Sequence, residues 1–404
     1  MKSRLQRLAI LGGFALALVA VPSFSASAAS DDWLTAWAGP GQDPGVNGVT
    51  YPSGTTLREV VWATIGGERV RIKFSNAFGA QPLVIGSASI GVKSTDSNVF
   101  PGSLKQLTFG GKPGVAVPQQ GLVLSDPVDL PVPDLTDVSI SVFLPSGAGP
   151  SVTYPGSRKT TYVFNGGDVT LSPNMPVSST TGTGYYLGSV EVEPSKSAGT
   201  IAAVGDSIVA GGGSTVENAK WSDRLAVRLQ SLSAPHHMGV LGLGIGGNRL
   251  LSGATSNPAA LARFDRDVLG MAGLTHIIMA DGINDLGSTA TNPTLPPFPE
   301  DVEYGLRQLV ERAHARGIKV IGTTMGPAWG FRGYENIEFK RLAYNEWMRT
   351  EGVKLVDGLI DFDAVLRDPA NPSHMRSEFL TDGIHPNNAG HQAMADAIDL
   401  NFFK

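Results

Sequence analysis

The stretch Ile201-Ala202-Ala203-Val204-Gly205-Asp206-Ser207-Ile208 decides how the second half of this chain is read. Its four leading apolar residues form a run short enough for a buried strand. The run ends on Gly205, which can take a backbone conformation that other residues resist, so the chain can turn sharply there. A Ser hydroxyl placed after such a turn is exposed at a strand end. If a helical turn starts at that point, its free N–H groups favour an oxyanion nearby. The segment has no Gly-Lys-Ser/Thr and does not match Gly-x-Gly-x-x-Gly, which argues against a phosphate cradle.

Working outward, the same alternation repeats. Apolar runs at 239–243, 276–280, 318–323 and 355–360 alternate with helix-compatible segments at 221–232, 301–316 and 336–350, and 387–398 follows a good N-cap. Within 301–316, Val302, Leu306, Leu309, Val310 and Ala313 recur at three- and four-residue spacing, giving one apolar face. Strands alternating with helices predict parallel strands joined by crossovers, hence a doubly wound α/β sheet. Ligands in such sheets sit at the carboxyl ends of the strands, so the residues after each run are the ones to inspect.

Upstream the period changes. In 31–192, short strands are broken by Gly, Pro, Ser and Asn; Val70, Ile72 and Phe74 alternate with Arg69, Arg71 and Lys73, and Val138, Ile140 and Val142 alternate with Ser139 and Ser141. Period-2 alternation is the mark of a strand with one buried face. No long stretch there has helical periodicity, so this half is expected to be an antiparallel β-sandwich or jelly roll. The polar segment Glu193-Pro194-Ser195-Lys196-Ser197 is the expected boundary. It separates a β-domain at 30–195 from an α/β domain at 199–404.

The first 29 residues form a separate object. Lys2, Arg4 and Arg7 precede an uncharged apolar stretch at 8–21, and Ala26-Ser27-Ala28 gives a small-x-small cleavage pattern. That is the expectation for a signal peptide and a secreted protein, extracellular or periplasmic, because the stretch falls short of the roughly 20 residues needed to span a bilayer. Removing those three basic residues takes the formal balance from −5 to −8, and such acidity argues against nucleic acid or anionic membrane as main partners. With no Cys in 404 residues, disulfides, thiolate zinc sites and a cysteine nucleophile are excluded. The 50 Gly and 27 Pro stay below the roughly 25–30% of low-complexity chains, so the chain should fold.

Three further segments follow or resemble the first. Gly244-Ile245-Gly246-Gly247-Asn248 presents backbone N–H groups without side-chain cover, and Asn248 could cap the next segment. In Asp281-Gly282-Ile283-Asn284-Asp285, Asn284 offers an amide donor at a strand end, while Asp285 reads as a structural acceptor that fixes the loop. In Thr381-Asp382-Gly383-Ile384-His385-Pro386, the spacing lets a carboxylate meet one imidazole nitrogen while the other points outward as a base. Of the other histidines, His236 and His237 read as a solvated pair, His276 as a strand start, His314 as a helix-face residue, His374 as a loop residue and His391 as a surface or packing residue. None of these spacings makes a metal site, and no cofactor is expected.

With its four blocks in order, the sequence resembles the SGNH hydrolases, also called the GDSL family of esterases and lipases, over residues from about 199 to 404. The resemblance implies a flavodoxin-like doubly wound sheet, Ser207 as nucleophile, His385 as its base and Asp382 as the residue orienting that base. It also implies an oxyanion hole made by the backbone N–H groups of Ser207 and Gly247 and the Asn284 side chain. Two departures are Ile208, where the family name has Leu, and Gly242, where many relatives carry Asn; the latter is expected to alter loop support.

The β-domain ahead of the hydrolase, with Arg263-Phe264-Asp265-Arg266-Asp267, is similar to secreted bacterial members associated with polysaccharide and xylan deacetylation. The resulting expectation is a secreted serine esterase acting on short acyl esters of carbohydrates. Lipid esters are the rival substrates. A non-catalytic carbohydrate-binding protein, using Trp33, Trp37, Trp62, Tyr154 and Tyr162 to stack on sugars, is the rival of another class, although core packing explains most such aromatics.

Overall fold

A computed structural model of the chain describes residues 33–404 apart from 46–47, 156–158, 195–198 and 233–236. The expected leader, most of the expected boundary segment and His236 lie outside the described residues. In the strand Gly67–Ser75, Val70, Ile72 and Phe74 are buried and Arg71 and Lys73 are half-exposed. The alternation therefore predicts its buried face. The strand Thr136–Leu144 departs from expectation, because Ser139 and Ser141 are buried along with Val138, Ile140 and Val142. Its second face is covered as well: the buried Arg58 guanidinium donates to Ser141 Oγ at 2.8 Å and to the carbonyls of Ser97 and Ser172. Ser141 is thus satisfied by protein rather than by water, whereas the buried Ser139 hydroxyl has no partner among the described residues.

All strand pairing in this half is antiparallel. One sheet runs in the order Leu34–Ala38, Leu187–Glu193, Gly67–Ser75 and Leu122–Leu124, with Val128–Val132 also on Gly67–Ser75. A second sheet runs in the order Ser179–Thr181, Thr161–Phe164, Thr55–Ala63, Thr136–Leu144, Ser87–Val92 and Lys105–Leu107. Their apolar residues share one core that includes Leu57, Val70, Ile72, Phe74, Ile90 and Val138. Trp33, Trp62 and Tyr154 are buried in this half, so three of the five candidate sugar-stacking aromatics serve packing instead.

From Gly199 the sheet becomes parallel. Five strands stand in the order Met238–Gly244, Gly199–Gly205, Leu274–Ala280, Lys319–Thr323 and Gly358–Ile360. Numbered along the chain this is 2-1-3-4-5, the flavodoxin-like order, whose switch point lies between the first and third strands. The crossover helices Trp221–Gln230, Pro299–His314 and Glu338–Thr350 bury one face each. In Pro299–His314 the buried residues include Val302, Leu306, Leu309, Val310 and Ala313, as the spacing predicts. Helix Asn388–Asp396 starts at Asn387, whose side chain accepts from the Ala389 and Gly390 N–H groups.

The two sets of sheets belong to one compact unit, Trp33–Lys404. They are joined by hydrogen bonds: Thr35 N–H donates to the Ala272 carbonyl, and Val240 N–H donates to the Thr64 side-chain Oγ1. His237, expected to be solvated, instead pairs with Asp134 at 2.8 Å. Among the described residues, no helix is long and apolar enough to cross a membrane.

Candidate active site

Three of the four sequence blocks stand at the carboxyl ends of the first three parallel strands, and the fourth loop meets them there. After Gly199–Gly205 the chain makes one helical turn, with Ala210 N–H donating to the Asp206 carbonyl at 2.9 Å. Asp206 Oδ1 accepts the Ile208 N–H at 2.8 Å and fixes the start of that turn around Ser207. Gly205 itself does not take the left-handed conformation that the sequence reading invoked. Its requirement is space, because a Cβ there would lie 2.0 Å from the Ala280 carbonyl oxygen of the neighbouring strand.

Ser207 Oγ lies 2.8 Å from His385 Nε2, and His385 Nδ1 lies 2.8 Å from Asp382 Oδ2 and 3.0 Å from Oδ1. A carboxylate can only accept, so Nδ1 carries the ring proton and Nε2 is left to accept from the Ser207 hydroxyl. Burial works to raise the Asp382 carboxyl, but hydrogen bonds from the His385 ring and backbone N–H, the imidazole charge and the Ile384 N–H hold it below its ordinary value. Gly383, in the left-handed region at φ 103°, shapes this loop. Gly212 makes room for the base: a Cβ there would sit 2.6 Å from His385 Cδ2.

The Gly loop after Met238–Gly244 includes Gly247 at φ 68°, where L side chains are strained. Asn248 does not cap the following segment. It is fully buried, its Nδ2 donates to Asn257 Oδ1 and the Pro258 carbonyl, and its Oδ1 accepts from Arg263. Gly282, left-handed at φ 114°, starts the short helix Ile283–Gly287 that carries Asn284 in its first turn. Asn284 Nδ2 donates to Asp206 Oδ2 at 3.2 Å and to the Asn248 carbonyl at 3.0 Å, and Tyr334 donates to Asn284 Oδ1 at 3.1 Å. Asp285 is the expected structural acceptor, taking the Leu250 and Leu251 N–H groups at 2.7 and 2.9 Å.

Beneath this surface lie three carboxyls. Burial pushes Asp206 and Asp285 up to about 6, and it raises Asp281 further, with the charges of Asp206 and Asp285 adding to the effect. Three further residues matter here through contacts that their sequence neighbourhoods do not show. Arg263 is fully buried and donates to the Gly205 and Leu243 carbonyls as well as to Asn248. Tyr334 reaches Asn284 across fifty positions. His391, read as a surface or packing residue, is buried and donates from Nε2 to the Gly212 carbonyl at 3.0 Å, supporting the turn under His385. Gly242, the departure from Asn, lies against Lys220, whose Nζ would be 2.4 Å from a Cβ there. Another side chain thus occupies the space that a larger residue would take.

A hydroxyl, an imidazole and a carboxylate in series at the switch point of a doubly wound sheet define an acyl- or ester-hydrolase class of site. Residues 203–393 match the family described as GDSL-like Lipase/Acylhydrolase, and the chain carries a domain of that SGNH/GDSL family. No curated protein sequence matches the chain. Solved structures similar to part of it include the following three. A member of the lipolytic protein G-D-S-L family from Veillonella parvula DSM 2008 has 16% identity and a TM-score of 0.37, over 49% of this chain and 94% of that one. The acetyl xylan esterase AlAXEase has 20% identity and a TM-score of 0.38, over 49% and 96%. A variant of Axe2, an acetyl-xylooligosaccharide esterase from Geobacillus Stearmophilus, has 20% identity and a TM-score of 0.39, over 50% and 92%.

Proposed function

We propose that the chain is an exported serine esterase that cleaves carboxylic esters through an acyl-enzyme, with short acyl esters of carbohydrates as its substrates. The observation that carries this reading is the 2.8 Å approach of Ser207 Oγ to His385 Nε2, with Asp382 on the other ring nitrogen. In the reaction, Ser207 Oγ attacks the ester carbonyl while His385 Nε2 takes the hydroxyl proton. Charge on the carbonyl oxygen is met by the N–H groups of Ser207 and Gly247 and by the Asn284 amide. Collapse of the tetrahedral species expels the alcohol, which takes the proton from His385. Water then repeats the sequence on the acyl-serine, with His385 as base, and releases the acid.

The carbohydrate part of the proposal rests on the whole-chain resemblance and on one feature of the rim. Phe331 meets His385 edge-on at 5.5 Å, and two positions earlier Trp329 is exposed with its ring against His374 at 5.3 Å, so aromatic side chains stand on the loop that borders the base. Export rests on the leader-like first 29 residues, and the division at 195–199 on the change of sequence period. The test is hydrolysis of short-chain aryl esters by wild type and Ser207→Ala, together with phosphonate labelling of Ser207. Wild type should turn over and take the label, and Ser207→Ala should do neither. A wild-type protein that neither hydrolyses nor labels would sink the esterase reading. Acetylated xylan compared with long-chain acylglycerol then decides the substrate class.

A further inference from the structure

Both N–H groups and the oxygen of the Asn284 carboxamide are engaged by protein partners. Both Nδ2 hydrogens are given to acceptors, Asp206 Oδ2 at 3.2 Å and the Asn248 carbonyl at 3.0 Å. Turning the amide over would set Oδ1 against those two oxygens, so its orientation is fixed by chemistry. Oδ1 therefore faces Tyr334, whose hydroxyl must be the donor in the 3.1 Å contact.

Tyr334 is built for that contact. Its ring is buried and begins the short 3-10 turn Tyr334–Ile337, entered through Gly333 in the left-handed region at φ 81°. Gly287 leaves the space for it: a Cβ there would lie 2.0 Å from Tyr334 Cζ. Phe331 packs edge-on against Tyr334 at 5.4 Å and also against His385 at 5.5 Å. One loop thus touches both the proposed base and the proposed oxyanion donor. Burial, with the charge of Asp206 adding to it, raises the Tyr334 phenol and keeps its proton in place.

We infer that Tyr334 is a positioning residue for the oxyanion hole, holding the Asn284 amide by its carbonyl end and polarising its N–H groups toward the reacting ester. The inference rests on the reading of Asn284 as an oxyanion donor. A hydrogen bond accepted at an amide oxygen strengthens the donors on the same amide, because each bond in a chain polarises the next. An arriving oxyanion must draw an Nδ2 hydrogen away from Asp206 or Asn248. With Oδ1 tethered, the amide can share that hydrogen without leaving its place. Without the tether, Oδ1 loses its one protein donor and the amide its anchor at that end.

The experiment is a double-mutant cycle in the full chain, with kcat and KM measured on a short-chain aryl acetate. Asn284→Ala is expected to lower kcat by about 10²–10³. Tyr334→Phe keeps the ring and its packing, so its melting temperature should stay close to wild type. It is expected to lower kcat about three- to tenfold with KM nearly unchanged, the size of one lost hydrogen bond. In the Asn284→Ala background, Tyr334→Phe should cost nothing further. Equal losses in both backgrounds would mean that Tyr334 acts only on the fold, and would overturn the inference. An unchanged kcat in Tyr334→Phe, with Asn284→Ala strongly impaired, would overturn it while leaving the oxyanion reading in place. An unimpaired Asn284→Ala would instead remove the oxyanion reading itself.

Discussion

Arg263 donates two hydrogen bonds to the Asn248 carboxamide oxygen, from Nε at 3.1 Å and from Nη2 at 2.7 Å. The same guanidinium reaches the carbonyls of Gly205 at 3.3 Å and Leu243 at 2.9 Å, so one buried cation ties the ends of two parallel strands to the Gly loop between them. The loop is therefore held from below, and its upper face is left free for substrate. Burial lowers the Arg263 pKa, opposed by the carboxyls of Asp267 and Asp281. A guanidinium stays charged through such a shift.

Replacing Arg263 by Met should destabilise the protein and impair catalysis together. Met fills part of the volume but leaves the Asn248 oxygen without its donor. It also takes the guanidinium's bonds from the Leu243 and Gly205 carbonyls, of which Gly205 keeps the Ile245 N–H at 3.0 Å. A lost charged hydrogen bond or an unpaired buried acceptor costs about 1–3 kcal/mol each. The expected outcome is a loss of at least ~3 kcal/mol in denaturant unfolding. A fall in kcat on aryl acetate should accompany it at temperatures where the variant is folded. Full activity with wild-type stability would show that the Gly loop holds itself.

The alternation of apolar runs and helices was enough to read the parallel sheet, because strand and helix periods are local properties of the chain. The positions of Ser207, Gly247 and Asn284 followed from the rule that such sheets act at strand ends. The meeting of Ser207 and His385 followed from the family resemblance, and what escaped were the other contacts set by closeness between distant segments. Arg263 lies in a charged stretch that looks solvent-facing, and only the folded sheet reveals the carbonyls it serves. Ser139 and Ser141 read as an outward face because alternation cannot show that another segment covers them. Gly205 is required for its missing side chain and not for its φ, and a sequence cannot separate those two needs.

Asp382→Asn should leave the loop folded and the base misdirected. Asn retains an oxygen for the His385 and Ile384 N–H groups that Asp382 Oδ1 now accepts at 3.0 and 3.4 Å. Its amide nitrogen, however, favours the imidazole tautomer that presents a proton, rather than a lone pair, to Ser207. The expected fall in kcat is roughly 10²–10⁴, with little change in melting temperature. Because the Asp382 carboxyl is held below its ordinary value, it stays ionised to lower pH than a free carboxyl does. Wild-type activity lost on mild acidification should therefore track protonation of another group. A variant with unchanged kcat would remove Asp382 from the reaction.

Gly205→Ala and Gly246→Ala should behave very differently, although both lie in Gly-bearing strand-end motifs. A Cβ at position 205 would meet the Ala280 carbonyl at 2.0 Å and Val209 Cγ2 at 2.7 Å, and the carbonyl belongs to a paired strand that cannot move alone. A Cβ at 246 meets nothing within 4 Å. Overpacking at 205 should cost about 1–3 kcal/mol and displace Ser207 relative to His385. The alanine at 246 should leave the unfolding midpoint nearly unchanged. Comparable destabilisation by the two would refute the spatial account of Gly205.

Glu59 supplies a prediction far from the chemistry. It lies in the strand Thr55–Ala63, is 3% exposed, and its Oε2 accepts from the Tyr154 hydroxyl and from the Tyr185 N–H at 2.8 Å. Its Oε1 has no partner among the described residues. Burial pushes the carboxyl up to about 8, and the two hydrogen bonds recover only part of that rise. The folded protein therefore holds this proton more tightly than the unfolded chain, whose Glu titrates near 4.3. Stability from this group is fully present below that value and is lost as pH rises through about 8. Asp206 and Asp285 are raised only to about 6, so an interval from pH 7 to 9 lies above both, and any titration of Asp281, which is raised well above its ordinary value, is common to wild type and Glu59→Gln and cancels in their comparison. Across that interval the wild-type unfolding midpoint should fall, and Glu59→Gln, which cannot ionise, should lose much of the fall. Parallel pH dependences for the two proteins would show that Glu59 is already ionised in the folded state at pH 7.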